Sequence, residues 1–514
     1  MNKKKRGKLR IIFLSIFCVL FFLIVLFFTQ TRKITYTPQV CKDCNVILIS
    51  VDTLRADHLP CYGYYRNTSP YICKFAEESV LFENAFSQSV NTLPSHMSIF
   101  TSLYPFSHGV EYPFENTLDK SILTLPQILQ IYNYSTLWFG PLDDPMLSPE
   151  AGFGRGYDAR ISNVLSFAGV CNNTPLFEWL ESQKSNKRNL FIFYHTYQVH
   201  VPYIPKVDLF DNTSRLNFSI SDFITKEYDI IKERAYKNET KFLSILNLST
   251  VDTVGFDVST PNLSEDFFRL NYNNLTIKNR EALIKAGYFP TNFEVFWRDI
   301  NTSDKDMLSY VVSLYDSEIN EADQCINSFF EELKKEGMYN KSIIIVTADH
   351  GEEFMEHGNI DHSQLYTEVT HVPLIIKIPN SPGYKKSGMV ESIDILPTIL
   401  SLVGIPHPYY SQGENILNDT ARDVIFAEFS NKYLIRSNEY SLLVDDNGTT
   451  ELYDLLNDPK QKINVAKDNP SIVKSLMTRL NTTLQYPRYY GISYNFSSNI
   501  DSKVREDLFK TGYW

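Results

Sequence analysis

The sequence has no excess of positive charge, no internal repeat and no low-complexity tract. With 49 Lys and Arg against 60 Asp and Glu, the chain carries −11. Six of its cations lie in the first ten residues, and without those the charge falls to −17. Such a surface argues against nucleic acid as a partner. The lack of repeats excludes a solenoid or propeller array. Cysteine is also scarce. Cys41-Lys-Asp-Cys44 has half-zinc-site spacing, but no second pair stands near it, so a stem disulfide or free thiols is the better reading. A hydrophobic content of 43% with 21% charge excludes a disordered chain. At 514 residues the length allows a large core and several domains.

Long apolar runs are also few, and Ile11–Phe28 is uncharged throughout its eighteen residues. It spans roughly 27 Å as a helix, close to a bilayer core of about 30 Å. No A-x-A cleavage pattern follows it. We expect an uncleaved transmembrane helix, a cytoplasmic tail at 1–10, a stem at 29–44, and the rest outside the cytoplasm. Six cysteines beyond the anchor allow up to three disulfides. The chain also holds fifteen N-x-S/T sequons, against roughly five or six by chance, as in a glycosylated exterior protein.

The remaining pattern is α/β. Asn45–Val51, Tyr134–Phe139, Asn189–Tyr194, Ile343–Val346 and Val372–Ile378 are short apolar runs that read as buried strands. Leu308–Lys334 reads as a long amphipathic helix, and its Asp316 and Asp323 as structural or solvated. We expect a catalytic domain over 45–411, a polar insertion at 206–307 that walls the substrate pocket, and a smaller α+β subdomain over 412–514.

Open α/β sheets bind ligands beyond the carboxyl ends of their strands. Three strands end in chemistry-bearing residues: Asp52 after Val51, His195 and His200 after Tyr194, and Asp349-His350-Gly351 after Thr347. Adjacent Asp349 and His350 can reach one ion only if the strand stops before them, and Gly351 supplies freedom for that bend. Thr92 precedes a helix that Pro94 opens. Its hydroxyl then sits where backbone N–H groups favour an anion; the plainer reading is an N-cap.

These residues fall in segments, NVILISVDTLRADHL, TLPSHMSIFTSLYPFSHGV, HTYQVHVPY and ADHGEEFMEHG followed by VPLIIKIP, whose order and spacing resemble the sulfatase family of the alkaline-phosphatase superfamily. ESIDILPTILSLVGI and ELYDLLNDP extend the resemblance toward Leu480. The resemblance implies an alkaline-phosphatase-like fold with a central, mostly parallel sheet flanked by helices, and action on sulfate or phosphate esters. It implies one divalent metal on Asp52, Asp349 and His350, with Thr92 as nucleophile and further ligand. His200 and His362 match groups that hold the oxyanion or assist the leaving group, and His96 takes the place of an arginine. The imidazole favours Mn²⁺ or Zn²⁺ over Ca²⁺.

Departures from the pattern bear on the chemistry. Sulfatases mature a cysteine or serine to formylglycine where this chain has Thr92, and threonine's β-methyl group prevents that aldehyde. Thr53, Pro141 and His350 replace an aspartate, a lysine and an asparagine. A threonine nucleophile with an Asp-His pair looks more like the anchored phosphoethanolamine and phosphoglycerol transferases of the superfamily. The expected substrate is an anionic ester carried by a glycan, a lipid headgroup or a small alcohol. Sulfate hydrolysis proper is one alternative, and a degenerate glycan- or lipid-binding module is the other.

Overall fold

The computed structural model describes residues 40–489 apart from 112–116, 143–146, 148–150, 164–170, 212–225, 227–228, 232, 235–291, 299, 419–421 and 446. The expected anchor at 11–28 and most of the 206–307 insertion lie outside the described residues. Among the described residues no helix is long and apolar enough to cross a membrane.

Eight strands form the central sheet: β1 (Asn45–Val51), β2 (Val80–Phe86), β3 (Tyr134–Gly140), β4 (Ala159–Ser162), β5 (Asn189–Thr196), β6 (Ser342–Thr347), β9 (His371–Lys377) and β10 (Tyr384–Glu391). Their order is β10-β2-β9-β6-β1-β5-β3-β4. Only β9 pairs antiparallel to its neighbours, β2 and β6. β1 lies in the middle, parallel to β5 and β6. Ser50 is opposite His195 on one side and Thr347 on the other. The register therefore sets the carboxyl ends of β1, β5 and β6 side by side. β1 and β6 read as continuous apolar runs because both faces of the sheet are covered.

The helices α1 (Pro70–Glu77), α2 (Thr92–Thr101), α3 (Leu125–Ile131), α4 (Thr174–Ser182), α5 (Lys305–Lys335) and α6 (Ile395–Val403) flank that sheet. α5 buries Tyr310, Leu314, Ile319, Ile326 and Phe330 in the same core as Ile47, Ile49, Ile192 and Ile344. Its Asp316 and Asp323 are structural and buried, not solvated. Asp316 accepts from His58, Tyr64 and Arg66, each at 2.7 Å. Asp323 accepts from the first free N–H groups of α1, Tyr71 at 3.0 Å and Ile72 at 2.6 Å.

A two-stranded ribbon, β7 (Glu353–Phe354) and β8 (Ile360–Asp361), follows the end of β6. Beyond α6, β11 (Ile425–Phe429), β12 (Lys432–Arg436), β13 (Tyr440–Val444) and β14 (Thr450–Asp454) form an antiparallel sheet in sequence order. One face packs on α7 (Pro470–Thr483) through Phe426, Ile435, Leu442, Leu476 and Leu480. The other meets Phe86, Val90 and Leu365 through Ile425, Ala427 and Leu434. All six cysteines of the described region are paired, as Cys41–Cys44, Cys61–Cys73 and Cys171–Cys325.

Candidate active site

β1 ends at Val51, so Asp52 projects from the middle of the sheet's carboxyl edge. Thr53 follows with φ +54, a strained conformation for a β-branched residue. Three contacts hold it: its hydroxyl donates to the Val199 carbonyl at 2.9 Å, Tyr315 donates to its carbonyl at 2.7 Å, and its N–H donates to Asp349 Oδ1 at 3.4 Å.

β6 stops at Thr347, which lets Asp349 and His350 turn to one side together. The expectation that Gly351 is needed for a bend requires correction. Its φ is not positive; a Cβ there would lie 2.1 Å from the Glu368 carbonyl oxygen. The requirement is close approach of two backbones, sealed by the Gly351 N–H donating to Val369 at 2.7 Å.

Asp52, Asp349 and His350 are fully buried, and one ligand atom from each lies within 4.8 Å of the others. His350 Nδ1 faces the Gly351 carbonyl at 3.0 Å. A carbonyl only accepts, so Nδ1 carries the proton and Nε2 is left with a bare lone pair. That lone pair stands 3.6 Å from Asp349 Oδ2 and 4.0 Å from Asp52 Oδ1. Burial, with His362 close by, holds His350 well below its ordinary pKa and so neutral. Neither Asp349 Oδ2 nor His350 Nε2 has a hydrogen-bond partner among the described residues. Two buried carboxylates and an inward lone pair repel one another, and such an arrangement costs several kcal/mol unless a cation sits between them. The donor set fits a divalent metal with an imidazole ligand.

Thr92 is the first residue of α2, with Asn91 as N-cap. It is therefore not an N-cap, the plainer reading. Its hydroxyl donates to Asp52 Oδ2 at 3.3 Å. The structure thus brings Thr92, Asp52, Asp349 and His350 together. His200 and His362 flank the same face: the His362 ring lies 4.4 Å from His350 and 5.8 Å from His200 between centroids. Burial lowers the His362 pKa, but the Glu352 carboxylate at 3.3 Å outweighs it and raises the group to about 9.

His96 behaves differently. Its Nδ1 donates to the Thr92 carbonyl at 2.8 Å, and its Nε2 accepts from Ser50 at 2.9 Å. Both nitrogens are used, and burial together with His195 lowers its pKa to about 4. It ties α2 to β1 as a neutral strut. His357 stacks on Tyr366, with ring centroids 3.5 Å apart, and pairs with Glu368.

Glu352 was missed by sequence reasoning. Its carboxylate holds His362 and accepts from Tyr203 at 2.9 Å, and its carbonyl accepts from the buried Arg55 at 3.0 Å. The signal was an acid two residues beyond a ligand, inside a motif already singled out.

A family model described as Sulfatase matches residues 44–405. The chain belongs to the sulfatase family. A second model, described as N-sulphoglucosamine sulphohydrolase, C-terminal, matches residues 355–486 of this sulfatase-family enzyme. Human arylsulfatase K is 28% identical over 505 residues, covering 91% of this chain and 88% of the relative. Solved structures of the same fold include a protein in complex with its substrate D-glucosamine-2-N,6-O-disulfate. That match has a TM-score of 0.62 and 20% identity, covering 87% of this sulfatase and 98% of the other chain. A phosphonate monoester hydrolase from Agrobacterium radiobacter gives 0.59 and 18%, covering 86% and 95%.

Proposed function

We propose that this sulfatase-family chain hydrolyses a sulfate or phosphate ester carried by a saccharide, with Thr92 as the nucleophile. The observation that carries the reading is the Thr92 hydroxyl, 3.3 Å from Asp52 at a helix N-terminus, beside the Asp52–Asp349–His350 cluster. A divalent ion on those three residues, Mn²⁺ or Zn²⁺ by its imidazole ligand, would ease ionisation of the hydroxyl and polarise the ester. Asp52 Oδ2, which accepts the hydroxyl's hydrogen bond, orients it and takes its proton. The Thr92 oxygen forms the new bond to sulfur or phosphorus as the bond to the sugar oxygen breaks. The leaving oxygen takes a proton from His362, which Glu352 favours as a cation. His200, beside His362, holds the oxyanion. Water then gives a proton to His362 and attacks sulfur or phosphorus; the bond to the Thr92 oxygen breaks, that oxygen recovers its proton from Asp52, and sulfate or phosphate leaves.

The saccharide component is supported by the second family model, described as N-sulphoglucosamine sulphohydrolase, and by the glucosamine disulfate bound in one similar structure. One observation favours phosphate over sulfate within this reading. Formylglycine sulfatases expel sulfate with a second hydroxyl on the same carbon, and Thr92 has only one. Exterior placement is supported by the three disulfides, and the uncharged apolar run at 11–28 is proposed as its membrane anchor. The test is turnover of 4-nitrophenyl sulfate and 4-nitrophenyl phosphate with the released anion identified by ion chromatography. Thr92→Ala should lower turnover at least about a hundredfold. Turnover that survives this substitution would rule out Thr92 as nucleophile.

A further inference from the structure

A polar cavity lies beside the nucleophile, between α2 and the β11–β12 hairpin, with a volume of about 170 Å³. Asn91, the residue before Thr92, lines it, as do Phe106, Glu111, Glu428, Asn431 and Tyr433. Glu428 is 8% exposed, and its Oε1 has no hydrogen-bond partner among the described residues. A buried carboxyl oxygen left without a partner is unfavourable, and a ligand hydroxyl would satisfy it. The hairpin turn above it is two residues long, since Phe429 pairs with Lys432. Its central residues, Ser430 and Asn431, take φ +48 and +64. Asparagine–glycine is the sequence that suits such a turn. This chain instead places two hydrogen-bonding side chains there, both at the cavity.

We infer that this cavity is a subsite for one uncharged, hydroxyl-bearing saccharide ring, next to the ring that carries the ester. The inference rests on the reading that the ester sits on a glycan. Among the lining residues, Phe106 and Tyr433 supply aromatic surface for a sugar's C–H groups, and Asn91 and Asn431 supply amides for its hydroxyls. Burial, with Glu111 nearby, raises the Glu428 carboxyl to about 8. It is then largely protonated near neutrality, able both to donate to and accept from a hydroxyl. With Glu428 protonated, Glu111 and Arg488 offset one another among the described lining residues, so the cavity has no net positive charge to hold a ring bearing a carboxylate or a second sulfate. Ligand pockets usually run to roughly 300–1,000 Å³, so this smaller cavity takes one ring rather than an extended chain.

Saturation-transfer NMR on the full-length protein tests the subsite, with methyl glucoside and methyl glucuronide as probes. We expect clear transfer to the glucoside and at least about threefold less to the glucuronide, and a similar loss of glucoside signal in Glu428→Ala and Asn431→Gly. Asn431→Gly keeps the turn because glycine suits φ +64, so it decides the matter should Glu428→Ala fail to fold. Equal transfer to both probes, no transfer to either, or an unchanged signal in Asn431→Gly would overturn the subsite. Failure of the ester chemistry is read separately, from anion release by the unsubstituted enzyme.

Discussion

Single atoms decide the chemistry of this molecule. The proton on His350 Nδ1 is fixed by a backbone carbonyl, and that alone aims the Nε2 lone pair at two carboxylates. A cation that binds only the folded chain stabilises it, by roughly 2.7 kcal/mol at a hundredfold excess over its Kd. Adding Mn²⁺ or Zn²⁺ to chelated protein should therefore raise the unfolding temperature in calorimetry. Asp349→Asn should abolish most of that response. Ser50→Ala removes the donor to His96 Nε2 in a fully buried setting. It should cost about 1–3 kcal/mol in denaturant unfolding, because the acceptor is left unsatisfied. Asp52, Asp349 and His350 were legible because strand-end position and ligand chemistry coincide. Ser50 was not, since its partner His96 lies on another element; Glu352 stood inside the motif, but its pairing with His362 depends on the β7–β8 ribbon folding back ten residues on.

Among the elements, the interior strands could be read because burial on both faces writes an unbroken apolar run. The edges could not. β10 is Tyr384–Glu391, with two lysines and an outward-facing first half, and β4 has no buried residue. Nor does an apolar run carry a direction, so the antiparallel setting of β9 was invisible. α5 begins three residues before the expected Leu308, where the Asp304 side chain caps it. The acids of α5 act between elements. Asp323 supplies the cap that α1 lacks at its own N-cap residue, Ser69, whose side chain makes no capping bond. Asp323→Ala should cost about 1–2 kcal/mol, the usual worth of a helix cap. Backbone exchange in α1 should quicken more than in α6, which would separate this local effect from general loosening.

At the scale of the whole molecule the three disulfides differ in reach. Cys171–Cys325 joins residues 154 apart and ties the approach to α4 onto α5, whereas Cys41–Cys44 spans only three. In the chain-entropy account a loop of the longer kind is worth up to about 5 kcal/mol. The double substitution Cys171→Ser with Cys325→Ser should therefore lower stability by about 2–5 kcal/mol, well beyond the effect of the matching pair at 41 and 44. The central sheet carries a different consequence. β1, β5 and β6 are interior strands, each hydrogen-bonded on both sides. Fraying from an edge cannot reach their ends without first dismantling a neighbour. Deuterium should therefore enter the amides of Ile49, Ile192 and Ile345 no faster than the entire chain opens. An ion seated at those ends would then leave past the loops that follow the strands rather than by the sheet beneath it giving way.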